Sequence, residues 1–175
     1  ECESILSRYN TEDFTTVTIR PATVCGYSTR QRLDVVVNIL TNLGYHKRKI
    51  TVFGGDQLRP NLHIKDMIQS YYLVLKANKS LISNQIFNVG FENQKVIDLA
   101  NITKKIIGED VKLESTPTND NRSYHISSKK ISEILNFNAQ FTVQDAVLDL
   151  KKAFDEKLLI NSLENEMYFN IKRMQ

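Results

Sequence analysis

Short β-branched runs alternate with longer segments of helical period along this chain, and that alternation constrains its fold more than any single motif. "FTTVTIR" (14–20), "KITVFG" (49–54), "QIFNVG" (85–90) and "DVKLEST" (110–116) read as strands, with "PNLHI" (60–64) as a further extended piece. Pro21 offers no ladder donor and is expected to stop the first of them. "LDVVVNILTNL" (33–43) puts Leu33, Val36, Val37, Leu40 and Leu43 on one helical face. "KDMIQSYYLVLKAN" (65–78) reads as a helix burying Met67, Ile68, Tyr71, Tyr72 and Leu75, with Asp66 in its first turn complementing the dipole. "KVIDLANITKKIIG" (95–108) is expected to stop at Gly108, and "SSKKISEIL" (127–135) to start from a Ser cap. "FTVQDAVLDLKKAFDEKLL" (141–159) pairs Thr142 as a cap with Asp145 three residues on. Residues 1–9 read as the end of a helix and 160–175 as a weakly helical tail. Strands and helices in alternation predict an α/β layout with parallel pairing.

Composition narrows the function classes. A formal net charge of +3 is too mild to argue for nucleic acid. The clusters 46–49, 104–105, 129–130 and 172–173 are dispersed and read as solvated surface. The two cysteines, Cys2 and Cys25, have no metal-ligand spacing around them and predict a reduced, cytoplasmic protein. No apolar run reaches the ~20 residues that span a bilayer, and no signal-peptide pattern opens the sequence. The expectation is a chain without nucleic-acid or membrane partners.

Four stretches carry a family likeness in series. "TIRPATVCGYSTRQRLDVVVN", "ITVFGGDQLRPNLHIKDMIQSYYLVL", "IFNVG" and "DNRSYHISSKKISEILNFNAQFTVQDAV" together resemble the later part of the NAD-dependent epimerase/dehydratase family, the extended short-chain dehydrogenases that act on nucleotide-sugars. The resemblance implies a partial Rossmann-like parallel sheet plus a small α/β substrate-binding domain. It divides the chain into 1–27 and 59–90 as remnants of the dinucleotide-binding domain, 28–58 and 91–159 as the substrate-binding domain, and 160–175 as a tail. Members open with a Gly-rich turn that cradles the cofactor pyrophosphate and carry a Tyr-x-x-x-Lys pair on a helix. The resemblance places both upstream of Glu1, just past the position of the catalytic lysine. Tyr45 and Lys49 have the spacing but fall in a turn before a strand.

The resemblance therefore implies the C-terminal, substrate-binding half of a longer enzyme, inactive alone. The intact enzyme would use NAD(P), none of it held by this stretch, to epimerise, dehydrate or reduce a nucleotide-sugar, as a homodimer. The rival reading is a non-catalytic binding or scaffold module that pairs with a separate cofactor-binding chain.

Candidate site residues follow from the same resemblance, each with a bland alternative. Thr23 and Val24 would face the nicotinamide and sugar, or Thr23 is a buried turn hydroxyl. Asn38, polar within an apolar run, would touch the diphosphate or make a structural hydrogen bond. Arg59 and Arg122 would fork onto the two phosphates, with Asp120 holding Arg122, or belong to surface ion pairs. Phe53 would stack on the base or serve as core. Arg30 and Arg32 would read sugar substituents or stand solvated or ion-paired. His63 reads as structural, while His46 and His125 carry no argument.

Overall fold

The computed structural model describes residues 1–119 and 122–174. After a short helix α1 (Cys2–Arg8), the first strand β1 (Val17–Pro21) pairs in parallel with β5 (Gln85–Val89), from Val17↔Gln85 to Pro21↔Val89. One residue then moves the chain between sheets. The Ala22 amide donates to the Val89 carbonyl at 2.7 Å, and β2 (Thr23–Cys25) leaves to pair with β4 (Leu58–His63). In that second sheet, ordered β2-β4-β6, β4 runs parallel to β2 and antiparallel to β6 (Glu92–Lys95). A third, parallel pair joins β3 (Lys49–Phe53) to β7 (Lys112–Thr116). Pro60 is tolerated within β4 because at that register only β6 flanks it; pairing with β2 begins one residue later, at Asn61.

Helices fill the spaces between sheets. Val37 and Leu40 of α2 (Val36–Lys47) meet Leu99 and Ala100 of α5 (Val96–Ile107) and Ala146 and Val147 of α7 (Val143–Asp155), over Ile50 and Val52 of β3. A second cluster joins Phe87 and Val89 of β5 to Leu62, to Met67 and Val74 of α3 (Ile64–Lys76), and to Ile131 and Leu135 of α6 (Lys129–Leu135). Each fully buried Val, Leu, Ile, Phe or Met among these contributes about 1.5–3 kcal/mol. A third cluster gathers Leu33, Leu150, Phe154 and Leu159. A single-turn helix α4 (Lys79–Ile82) precedes β5, and the chain ends in a 3-10 turn (Glu166–Tyr168) and a short helix α8 (Asn170–Arg173).

Local signals held. Thr142 and Asp145 form a reciprocal capping box, and the Gly108 amide closes α5 on the Lys104 carbonyl at 2.8 Å. Long-range effects overturned others. The helix expected over 33–43 starts at Val36, and Leu33 is buried outside it. The first strand starts at Val17 rather than residue 14, and Phe14 is exposed. The strand β6 and the helix α4 were not anticipated. The buried side of α3 is Asp66, Met67, Ser70 and Val74, whereas Ile68, Tyr71, Tyr72 and Leu75 are exposed, Leu75 at 83%. Asp66 does more than complement a dipole. Fully buried, it accepts from the Gln140 amide at 2.9 Å and the Phe141 amide at 3.0 Å, tying α3 to the turn before α7. Ser128 does not cap α6 with its side chain; its hydroxyl bridges the Gly90 amide and carbonyl instead.

That bridge gives a stability test. A Cβ at Gly90 would lie 2.2 Å from Ile126 Cγ2, so Gly90→Ala is expected to cost about 1–3 kcal/mol by overpacking. Urea midpoints would check it, and adding Ile126→Ala should restore part of the loss.

His63 gives a pH test. Its Nδ1 accepts from the Lys65 amide at 3.2 Å and caps α3, leaving the proton on Nε2, which faces Asp149 Oδ2 at 3.4 Å. Burial pushes its pKa below the ordinary value, against the pull of Asp149, and burial does the same for His46. A histidine depressed in the folded state binds more protons when unfolded. Its contribution is present above the unfolded value of about 6.5 and is lost as pH falls below it. Unfolding midpoints should therefore drop between pH 7.5 and 5.5, and His63→Gln should flatten that slope.

Candidate functional site

The run from Pro21 to Asn38 shapes a hollow of about 460 Å3 where β2 ends and α2 begins. Gly26 makes the turn possible. Its φ is +98°, and a Cβ there would come within 3.1 Å of His63 Nε2. The following loop is held by two buried side-chain amides. Asn38 Oδ1 accepts from the Gly26 amide at 3.1 Å, and Asn38 Nδ2 donates to the Arg32 carbonyl at 2.8 Å. Gln31 Nε2 donates to the Gly26 carbonyl at 3.3 Å and the Arg32 carbonyl at 3.1 Å, while its Oε1 accepts from the Ser28 amide at 3.0 Å. An amide carries two donor hydrogens and two acceptor lone pairs, so Asn38 retains capacity beyond these two bonds.

Thr23, Val24, Arg30, Arg32 and Asn38 all line this hollow. Arg32 Nε donates to Asp34 Oδ1 at 2.5 Å, which neutralises that guanidinium locally. Cys25 also lines it, but burial and then the Glu92 carboxylate push its thiol up to about 12, so it stays protonated and unreactive.

Arg59 and Arg122 meet at a second place. The Arg59 guanidinium donates to the Leu58 carbonyl at 3.0 Å and to the Arg122 carbonyl, and lies 5.9 Å from the Tyr124 ring centroid. The Ser123 hydroxyl accepts from the Leu58 amide at 3.0 Å, so the loop after β7 is docked on the start of β4. Asp120, expected to hold Arg122, lies outside the described residues. Phe53 ends β3 opposite Thr116 and is 58% exposed, so it is not core. Neither arginine lines the hollow around Asn38. The two places share one sheet, however. Thr23 pairs with Asn61 and Cys25 with His63, which puts Arg59 about 7 Å from the level of Thr23 and about 13 Å from that of Cys25 along the strands.

Sequence reasoning missed Gln31, Asp34 and Tyr124. The only available signal for Gln31 was its position between two arginines of a polar loop. It also missed two further Tyr-x-x-x-Lys spacings, Tyr72–Lys76 and Tyr168–Lys172. Tyr72 and Lys76 form a cation–π contact at 5.7 Å on the exposed side of α3. Ile64, the first residue of α3, lines the hollow; they lie about 12 and 18 Å further along the axis. Among the described residues no group of three His, Cys, Asp or Glu side chains is placed to hold a metal ion, and no helix is long and apolar enough to cross a membrane.

Comparison with known proteins agrees with this architecture. The family model for the NAD dependent epimerase/dehydratase family matches residues 1–90. Among solved structures, UDP-glucose 4-epimerase with UDP-glucose from Thermotoga maritima superposes with a TM-score of 0.76 at 21% identity, over 89% of this chain and 51% of that one. UDP-glucuronic acid 4-epimerase from Bacillus cereus, in complex with UDP-glucuronic acid and NAD, gives 0.75 at 21% identity, over 89% and 50%. dTDP-glucose 4,6-dehydratase from Bacillus anthracis, in complex with NAD, gives 0.74 at 14% identity, over 97% and 52%. These likenesses concern the fold, and the chain spans about half the length of the structures it matches. With the matching family model covering its first 90 residues, the chain belongs to the NAD-dependent epimerase/dehydratase family.

Proposed function

We propose that this chain is the nucleotide-sugar-binding half of an epimerase or dehydratase of that family. The observation that carries the reading is the convergence of Thr23, Val24, Arg30, Arg32 and Asn38 on one hollow, whose sheet leads directly to the meeting of Arg59 with the Arg122 segment. A sugar would occupy the hollow, and the diphosphate would run along β2 and β4 towards the arginines. Guanidinium groups match phosphate oxygens in a fork and hold a fixed geometry. The base would lie against Phe53, an exposed ring at the end of β3. Holding the sugar in one orientation is the catalytic contribution of such a half.

NAD(P), when bound, supplies the hydride acceptor in this family. The residues present fit only one edge of it: Thr23, which carries a hydroxyl, and Val24 line the hollow. The pyrophosphate cradle and the Tyr-x-x-x-Lys pair belong, in this reading, to the complementary half. Two features support a complement. The helix α1 buries no residue, and Tyr9, Phe14 and the apolar side of α3 are exposed. Among the described residues β1 pairs with β5 alone, leaving its other edge open. The division into a dinucleotide-binding remnant, 1–27 and 59–90, and a substrate-binding part, 28–58 and 91–159, is part of this reading; the cluster around Leu99 draws on the second part with Cys25 alone from the first, while the cluster around Phe87 crosses the division through Ile131, Leu135 and Phe137. The same features favour a second reading, a binding module that pairs with a separate chain carrying the cofactor half.

Calorimetric titration with UDP- and dTDP-sugars tests the proposal. Binding is expected, and Arg59→Ala should weaken it about tenfold or more, since a hydrogen bond to a charged group is worth about 1.5–3 kcal/mol. Unchanged affinity in Arg59→Ala would remove Arg59 from the site. Alone, the chain is expected not to reduce NAD with any nucleotide-sugar; NADH formation seen at 340 nm would contradict the division of labour.

A further inference from the structure

The C-terminal segment crosses the molecule to the loop that walls the hollow. It leaves α7 with Leu159 buried against Leu33, Leu150 and Phe154. Ser162, 2% exposed, exchanges two bonds with Asn42 of α2: its hydroxyl donates to Asn42 Oδ1 at 2.6 Å, and its carbonyl accepts from Asn42 Nδ2 at 3.0 Å. The segment then reaches residues 27–34. The Leu33 amide donates to the Tyr168 carbonyl at 2.8 Å, and Tyr168 and Phe169 pack in the same cluster as Tyr27. Finally the Asn170 amide donates to Asp34 Oδ2 at 3.0 Å, while Asp34 Oδ1 accepts from Arg32 at 2.5 Å.

Asp34 is thus one carboxylate with two duties. One oxygen fixes a guanidinium that lines the hollow, and the other is held by the last turn of the chain. A surface Arg–Asp pair alone would be worth little and would rotate freely. Anchored to a backbone amide on a packed segment, the carboxylate has one position, and so has Arg32.

We propose that residues 157–174 act as a strap that positions the Arg30–Arg32 loop, with Asp34 as the positioning residue that couples the two. The consequence for ligand binding rests on the proposed function, because it assigns the loop to the sugar end of the ligand.

One substitution removes a single bond of the strap. Asn170 is the first residue of α8, where proline is tolerated because that amide has no helical partner. Phe169 before it is extended, at φ −123° and ψ 106°, as a residue preceding proline requires. Asn170→Pro therefore deletes the donor to Asp34 and keeps the turn. In the 175-residue chain, hydrogen exchange of amides 28–34 is expected to accelerate about tenfold while the thermal midpoint stays unchanged. Affinity for a UDP-sugar should fall about five- to tenfold, and affinity for UDP alone should not change. Asp34→Asn, which keeps an acceptor but loses the ion pair, should fall between. A chain ending at Glu164 retains the Ser162 anchor and loses the rest; it gives the same readout if Asn170→Pro does not fold. Equal exchange of 28–34 in wild type and these variants would overturn the strap. Equal loss of affinity for UDP and UDP-sugar would overturn its action at the sugar end. Faster exchange of 28–34 in the variants, together with a wild-type chain that binds no nucleotide-sugar, would uphold the strap and refute the proposed function instead.

Discussion

Two buried amides, those of Asn38 and Gln31, hold the candidate site together. The loop they knit contains Gly26, Ser28, Arg30 and Arg32, and its backbone polar groups turn away from any ladder. A buried backbone group without a partner costs about as much as a lost hydrogen bond, so such a loop needs partners from side chains. Asn38 provides them from α2 and Gln31 from within the loop itself. That is why a polar residue sits in the apolar run of α2: it stands where the helix faces the turn rather than the core. With the backbone fixed, the arginines have a defined origin, and a hollow exists in which a ligand can be oriented.

A second constraint comes from Asp66. Its carboxylate, buried between α3 and the turn at Gln140 and Phe141, forces the helix to show Met67, Ser70 and Val74 to the interior. The stripe of Ile68, Tyr71, Tyr72 and Leu75 then faces outward, together with the open edge of β1 and the exposed side of α1. These exposed apolar side chains and the unpaired strand edge lie on α1, β1 and α3, within the stretches that the proposed division assigns to a dinucleotide-binding remnant. In the proposed function the hollow and the bare surface are two aspects of one arrangement, in which this chain would orient a substrate and a complement would react with it.

The sequence made most strand positions and the ends of α5 and α7 legible because those signals are local. Thr142 and Asp145 sit three residues apart, and Gly108 follows its own helix directly. The face of α3 was not legible, since its larger apolar stripe is the exposed one and the buried one contains Ser70 and Asp66. Nothing near Asp66 in sequence announces a partner more than seventy residues away. The strand β6, four residues of Glu, Asn, Gln and Lys, has no apolar period to read. The members of the site came from family likeness rather than from pattern. What likeness did not supply was the arrangement: Asn38 among loop backbone groups, Arg59 against the Arg122 carbonyl, and the tail against Asp34.

The account is tested most directly by mapping amide and side-chain amide shifts of the isotopically labelled chain during titration with a UDP-sugar. It predicts perturbations at Gly26, Ser28 and the Asn38 side chain, and again at Arg59 and residues 122–124, all titrating with one dissociation constant. Saturable binding that leaves both regions unmoved, or moves only one of them, would contradict a single ligand spanning the hollow and the arginines.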